Sequence, residues 1–260
     1  AILNLKCKPA TCALSAELGW EPLTTSIENK QINYFSYLVK NDRNDLLNIV
    51  FQSMLEHHRL NKNLCWPYMR NIHSIMKDRG LDDVMFRPNT SWMKTYKAIT
   101  NSQMKTDIFE SINVKSSLNV YKHVKTNWGL ERYMHISNDF RLAVLKFRAR
   151  TGCFMVGADL KRWGQGDGLC KFCNSGIDDL SHRLLLCPYF TSHRSVLFSN
   201  LKSALEGNNE HVFNHFISLN VQSKLQWLLG NDIHSVYGHE IEVLVDRCIK
   251  QFLSNAFVSP

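Results

Sequence analysis

Three cysteines and one histidine lie within eighteen consecutive positions, and this cluster constrains the chain more than any other feature. Cys170 and Cys173 form a Cys-x-x-Cys pair, His182 follows after eight residues, and Cys187 follows after four more. Zinc is bound by four thiolate or imidazole donors in a tetrahedron, and a Cys-x-x-Cys turn supplies two of them. Because four protein ligands leave no position for water, the pattern predicts one structural Zn²⁺.

Helix geometry sets a condition on this site. Residues five apart on a straight α-helix point about 140° away from each other. A helix that begins near His182 must therefore end or unwind before Cys187, and Pro188 is compatible with such a stop.

Two other interpretations of the cluster stay open. It can be a chance group of buried cysteines with a surface histidine, or a redox Cys-x-x-Cys pair, although no βαβ pattern surrounds that pair.

The composition is that of a globular, basic protein. The chain has 260 residues, 44% of them hydrophobic, and a formal net charge of +8. A positive chain favours an acidic partner such as nucleic acid, but many basic proteins bind none, so charge alone does not decide. Eight cysteines are too few for a disulfide-stapled secreted fold. Outside the cluster we expect buried free thiols at Cys7, Cys12, Cys65, Cys153 and Cys248.

The sequence also bears on location. No apolar run approaches the roughly 18–20 residues that cross a bilayer, so we expect no membrane contact. The first residues lack the order of a signal peptide. Free thiols and zinc fit a reducing intracellular setting, nuclear, cytoplasmic or both. Because the chain begins with Ala rather than Met, we expect it to be a piece of a longer product.

Apolar residues recur at three- and four-residue spacing along most of the chain, which predicts a mainly α fold. Ser137 and Asp139 are expected to cap a helix that runs to about Arg150 and ends at Gly152. The glycine-rich segment 161–178 predicts an irregular metal-binding module with at most a short hairpin. We divide the chain into a helical linker (1–135), a zinc-binding domain (136–195) and a C-terminal helical bundle (196–260).

Cations and aromatic rings are concentrated just before and within the cluster. Cations there can contact phosphates, and Trp163 or Phe172 can stack on bases. The alternative is a solvated helix face with Phe147 and Trp163 in the core. The predicted nucleic-acid-binding residues are Arg141, Lys146, Arg148, Arg150, Lys161, Arg162, Trp163, Lys171 and Phe172.

The sequence contains no convincing catalytic motif. The acidic pairs at 82–83 and 178–179 do not form a set that would hold Mg²⁺. The glycines at 164, 166 and 168 are not followed by the Lys-Ser/Thr of a phosphate loop. A hydrolase would need an acid or base in a pocket, and the sequence offers no good candidate. We therefore predict no catalytic residues and no enzyme activity for this chain.

These motifs resemble the reverse-transcriptase zinc-binding domain that closes the polyprotein of LINE-type (non-LTR) retrotransposons. The likeness is carried by the basic Arg-Ala-Arg-Thr-Gly run at 148–152, the Cys-x-x-Cys turn, the run from Asp178 to Tyr189 through His182 and Cys187, and Arg194. Asp178 stands where the family has Glu, and Leu169 where a basic residue often stands. Residues 17–23 and 32–38 are similar to the segment that joins the polymerase thumb to this domain.

The resemblance implies a parent protein that is an RNA-directed DNA polymerase, often with an endonuclease domain. Its polymerase carries an aromatic-Ala-Asp-Asp motif, which this chain lacks. The implied role is that of a non-catalytic C-terminal part that grips template RNA, single-stranded DNA or target DNA beside the upstream reverse-transcriptase domains. The alternative is a zinc-stabilised scaffold that docks the polymerase core without touching nucleic acid.

Overall fold

The computed structural model describes residues 9–41, 43, 45–60, 66–87, 91–136, 139–230 and 232–258. Cys7, Cys65 and Ser137, named above as expected thiols and a cap, lie outside them. All regular secondary-structure elements in the described residues are helices, which confirms the prediction of a mainly α fold. The α-helices are α1 Thr11–Leu18, α2 Leu23–Lys40, α3 Leu46–Leu60, α4 Pro67–Asp78, α5 Trp92–Val114, α6 Tyr121–Val124, α7 Tyr133–Ile136, α8 Phe140–Thr151, α9 Gly157–Arg162, α10 Thr191–Ala204, α11 Glu210–Ser218, α12 Val221–Leu229, α13 Asp232–Tyr237 and α14 His239–Val258.

The chain divides into two compact units. One unit contains residues 21–107, and the other contains residues 1–20 and 108–260. The three-segment division drawn above followed sequence motifs and stays a prediction. Among the described residues, no helix has both the length and the apolar character needed to cross a membrane.

The unit of residues 21–107 is built on one face of α2. Ile32, Phe35 and Leu38 recur at helical spacing on that face and are buried. The Phe35 ring makes edge contacts with Phe51 of α3 at 5.8 Å and with Trp92 of α5 at 6.0 Å. Buried residues of α4 complete this core. Four helices thus share a single apolar centre.

Helix α8 lies at the centre of the other unit and begins and ends as its sequence predicts. Asp139 accepts a hydrogen bond from the amide of Arg141 at 2.9 Å, which is an N-cap. Gly152 ends the helix in the left-handed conformation, φ 69°. A Cβ there would lie 2.9 Å from the Ser117 carbonyl, so the site also lacks room for a side chain. Helix α14 packs against α8 and against α10.

A buried charge network surrounds Arg150. Its guanidinium is fully buried and forms ion pairs with Glu17 at 2.8 Å and with Glu131 at 3.3 Å. It also donates to the carbonyl of Leu229. The Tyr121 hydroxyl donates to Glu17 at 2.8 Å. Burial raises the pKa of Glu131, and the positive charge of Arg150 acts against this rise. One side chain therefore joins α1, the 121–131 segment, α8 and α12.

A second buried network joins α8 to α14. Lys146 pairs with Asp246 at 2.7 Å, and Lys250 pairs with the same carboxylate at 2.6 Å. Lys250 also donates to the carbonyl of Tyr133 at 2.6 Å. Burial lowers the pKa of Lys250, because the charged form loses its hydration. Lys146, a cation of α8, thus helps to hold α8 against α14.

We expect Arg150→Met to destabilise the protein strongly, because it would leave Glu17 and Glu131 as buried carboxylates without their shared cation. Breaking such a buried pair costs about 3–5 kcal/mol, which denaturant unfolding followed by circular dichroism would measure. The matched control is Arg141→Met on the same helix, where the side chain is 93% exposed and the change should stay within about 0.5 kcal/mol. Equal effects of the two substitutions would contradict this role for Arg150.

Candidate metal centre

The first two predicted ligands lie in a tight hairpin-like turn. The amide of Cys170 donates to the Gly176 carbonyl at 3.1 Å, and the amide of Asn174 donates to the Cys170 carbonyl at 2.8 Å. Leu169 and Ile177 form an isolated antiparallel bridge at its base. The prediction of at most a short hairpin is thereby confirmed. The turn is closed by its own backbone, with few buried apolar side chains.

The last two ligands are joined by a π-helical turn. His182–Leu186 is a π-helix, and the amide of Cys187 donates to the carbonyl of His182 at 2.6 Å. This i→i+5 bond widens the turn relative to an α-helix, so residues five apart approach the same side. The backbone leaves the helix at Cys187, and a 3₁₀ turn starts at Pro188. The expected unwinding before Cys187 is therefore confirmed.

The four donor atoms converge on one point. Cys170, Cys173, His182 and Cys187 place their ligand atoms within 4.8 Å of one another. The Sγ atoms of Cys170 and Cys187 are 3.7 Å apart, and Cys173 Sγ is 3.3 Å from His182 Nε2. Zinc–sulfur bonds of about 2.3 Å in a tetrahedron put two sulfur atoms about 3.8 Å apart. The cluster can hold a metal ion, and its dimensions are compatible with zinc.

The thiols of the cluster lie in different surroundings. Hydrogen bonds with the side chain and backbone of Ser175 lower the pKa of Cys173 to about 6. Burial raises the pKa of Cys187 to about 11. A metal ion binds the thiolate, so a bound cation would favour the deprotonated form of both. Cys170 and Cys187 are fully buried, which shields that side of the cluster from water.

The adjacent acids have separate structural roles. Asp179 accepts from the amide of His182 at 2.7 Å and so caps the turn that carries the last two donors. Asp178 is buried instead. It accepts from the amide of Gly157 at 2.8 Å and from Arg183 Nε at 3.0 Å. A Cβ at Gly157 would lie 2.9 Å from the Asp178 Cβ, so α9 can dock this closely only with glycine there.

Two residues predicted to contact phosphate do not lie at the surface. Lys146 and Arg150 are buried, and their charged groups are held by Asp246 and by Glu17 with Glu131. A phosphate could reach them only if these pairs broke and the surrounding core opened. The prediction is therefore wrong for these two residues.

The other predicted contacts are accessible. Arg141, Lys161, Arg162, Trp163, Lys171 and Phe172 are exposed and Arg148 is partly exposed. Trp163 lies on the surface, whereas Phe147 belongs to the core, so the alternative that buries both rings is half right. Arg162 forms an ion pair with Asp159 at 2.6 Å. Solvent reaches these side chains, but the structure does not identify a ligand.

The module is strongly positive. Residues 140–205 contain ten Lys and Arg residues and four Asp residues, a net charge of +6 out of +8 for the whole chain. Two of the ten cations, Lys146 and Arg150, are neutralised by acids outside this segment. Tyr189, two residues after Cys187, is exposed.

Comparison with protein-family models, with curated proteins and with solved structures finds no match to this chain. The resemblance described above therefore rests on the quoted motifs and on how the structure arranges them.

Arg194 of α10 is a functional candidate that the spacing of ligands does not reveal. One of its guanidinium nitrogens donates to the Thr191 hydroxyl at 2.9 Å. Another, Nη1, is buried and has no hydrogen-bond partner among the described residues. Burial lowers the pKa of Arg194, and the charge of the Cys187 thiolate opposes that shift. Three thiolates around a divalent ion carry a net charge of −1, which this guanidinium would offset.

We expect Arg194→Gln to weaken metal binding about 10- to 100-fold, the range measured for outer groups that support metal ligands. Competition with a chromogenic chelator would give the zinc dissociation constant. Lys202→Gln, an exposed cation later on α10, is the matched control and should leave it unchanged. Indistinguishable constants for Arg194→Gln and the wild type would show that Arg194 does not support the site.

Proposed function

We propose that this chain is the zinc-stabilised, non-catalytic C-terminal part of a LINE-type reverse transcriptase, and that it binds template RNA or target DNA. The observation that carries the proposal is the convergence of Cys170, Cys173, His182 and Cys187 beside an exposed cationic surface. Two of the motifs that support the family resemblance, the Cys-x-x-Cys turn and the run from Asp178 to Tyr189, carry these four side chains.

Zinc has a structural role in this proposal. Four protein donors complete a tetrahedron, so no position is left for a reacting water. The turn and the π-helix bury little apolar surface of their own, and a module this small depends on metal for its stability. Apolar cover comes from Leu184 and Phe190, which are buried. The metal would thus hold the two ligand pairs together and keep the surrounding side chains in place.

Nucleic-acid binding is the role of the exposed cations. The exposed cations of the predicted set are Arg141, Lys161, Arg162 and Lys171. Lys161 packs its aliphatic stem against Gly168, where a Cβ would lie 2.9 Å from the lysine Cδ. This places its charge at the edge of the metal-binding turn. Phosphate contacts there are independent of base sequence and sensitive to salt.

We expect the affinity for a fluorescent single-stranded RNA or DNA 20-mer to fall steeply as salt rises. The logarithm of the binding constant should fall with the logarithm of salt concentration by about 0.7 for each phosphate neutralised. Fluorescence anisotropy of a Lys161→Gln, Lys171→Gln double variant should show weaker binding and a slope shallower by about 1.4.

The matched control is Lys94→Gln with Lys97→Gln, two exposed lysines on α5 in the other unit, which should bind as the wild type does. The absence of binding at low salt, or equal slopes for both double variants, would count against the nucleic-acid role.

A protein-docking scaffold is the second candidate, and one observation favours it. Helix α2 is apolar on two opposite faces. Leu23, Ile27, Tyr34 and Tyr37 recur at helical spacing on the side away from the core, and Leu23 is 76% and Tyr37 58% exposed. An amphipathic surface helix has one apolar stripe, and a second exposed stripe marks a site of interaction with another protein. The polymerase region of the same reading frame is the expected partner.

If this candidate is correct, Ile27→Ser with Tyr37→Ser should weaken binding to the purified polymerase region at least tenfold in biolayer interferometry. The nearby exposed Asn33→Ser is the matched control and should have no effect. Binding that is unchanged in the double variant would remove the scaffold from consideration, whereas a loss of polymerase binding with intact nucleic-acid affinity would show that α2 serves a separate function.

A further inference from the structure

Three aromatic rings form a compact cluster beside the metal ligands. The centroids of Phe172 and Tyr189 are 5.0 Å apart, those of Phe172 and Phe190 4.9 Å, and those of Tyr189 and Phe190 5.1 Å. Phe190 is buried and forms the base of the cluster. Tyr189 is 56% exposed and Phe172 39% exposed. The cluster therefore presents two rings to solvent, and Tyr189 is the outer one.

Phe172 already has partners for much of its ring. The Arg183 guanidinium lies over it, 5.0 Å from the centroid, and Asp178 holds that guanidinium in place through a hydrogen bond of 3.0 Å. Tyr189 approaches at an interplanar angle of 35°, and Phe190 at 64°. A flat ligand would have to displace one of these groups to stack on Phe172.

Tyr189 lies in a short backbone turn close to one of the four donors. It is the middle residue of the Pro188–Phe190 3₁₀ turn, which follows Cys187 directly. Proline fixes the backbone angle at the start of this turn. The neighbouring Phe190 ring packs in the core and also contacts His193 at 5.7 Å. Little conformational entropy would be lost when a ligand settles on Tyr189, because its backbone and its inner ring contacts are already ordered.

The surroundings favour a nucleotide over an apolar peptide as the ligand. Lys171 is exposed next to Phe172, within a segment whose net charge is strongly positive. Cations beside an open aromatic ring match a strand that offers a phosphate and a base face together. A duplex cannot supply that face, since its bases are stacked on one another and show only their edges in the grooves. The strand must therefore be unpaired at this point.

We propose, on the basis of the proposed function, that Tyr189 is the platform on which one unpaired base of the bound strand stacks. Lys171 neutralises a neighbouring phosphate. Because every base has a π-face, the platform selects single-stranded over double-stranded nucleic acid without selecting a sequence. The metal centre sets the position of the ring, so zinc binding and base stacking are linked.

The test uses the zinc-loaded full chain and a 12-nucleotide DNA strand carrying one 2-aminopurine, with a blunt duplex of the same sequence as the comparison. Stacking on Tyr189 quenches 2-aminopurine fluorescence in the wild-type complex. Tyr189→Leu should weaken binding of the single strand about 5- to 150-fold, the effect of losing one base–aromatic stack, and leave duplex binding unchanged. Tyr189→Phe should stay within about twofold of the wild type, because it keeps the ring.

Trp66→Leu, which removes an exposed aromatic ring from the unit of residues 21–107, is the control and should bind the single strand normally. Zinc content and circular dichroism are measured for each variant. If the wild type binds the single strand without quenching 2-aminopurine, the proposal that a base stacks on Tyr189 is wrong, regardless of the affinities of the variants. Equal losses for single strand and duplex, or wild-type affinity in Tyr189→Leu, would overturn it too while leaving the proposed function intact. A wild type that binds neither strand would refute the proposed function itself.

Discussion

The convergence of three sulfur atoms and one imidazole nitrogen is the constraint on which the module from Gly168 to Phe190 depends. The hairpin-like turn and the π-helical turn meet at these four side chains, and Arg183 over the Phe172 ring is a further contact between them. Asp178 extends this arrangement by tying α9 and Arg183 to the turn. The ring cluster is attached to it through the turn that follows Cys187. The position of the exposed ring cluster therefore depends on where the donor atoms lie.

Helix α8 shows that one basic run can have two physical roles. Arg141 extends into solvent from its first turn, whereas Arg150 and Lys146 are enclosed and paired with acids. Buried ion pairs of this kind repay their desolvation only through close geometry and further hydrogen bonds, which Arg150 has from its carboxylates and carbonyl. The cationic surface is therefore smaller than the charge count implies, because Lys146 and Arg150 do not contribute to it.

Local patterns in the sequence predicted what depends on neighbours along the chain. Ligand spacing identified the four donors, Asp139 and Gly152 marked the ends of α8, and the five-residue step from His182 required an unwound turn. The burial of Lys146 and Arg150 was not predictable in this way. Asp246 is 100 positions from Lys146, and Glu17 is 133 from Arg150, so only the folded chain brings these partners together. The exposure of Tyr189 likewise follows from packing.

X-ray absorption at the zinc edge of the purified full chain tests the central claim most directly. The account predicts one zinc per chain with about three sulfur neighbours at about 2.3 Å and one nitrogen at about 2.0 Å, and no water in the inner sphere. A shell made mainly of oxygen or nitrogen, a sulfur count near two, or protein that is folded without metal would contradict it.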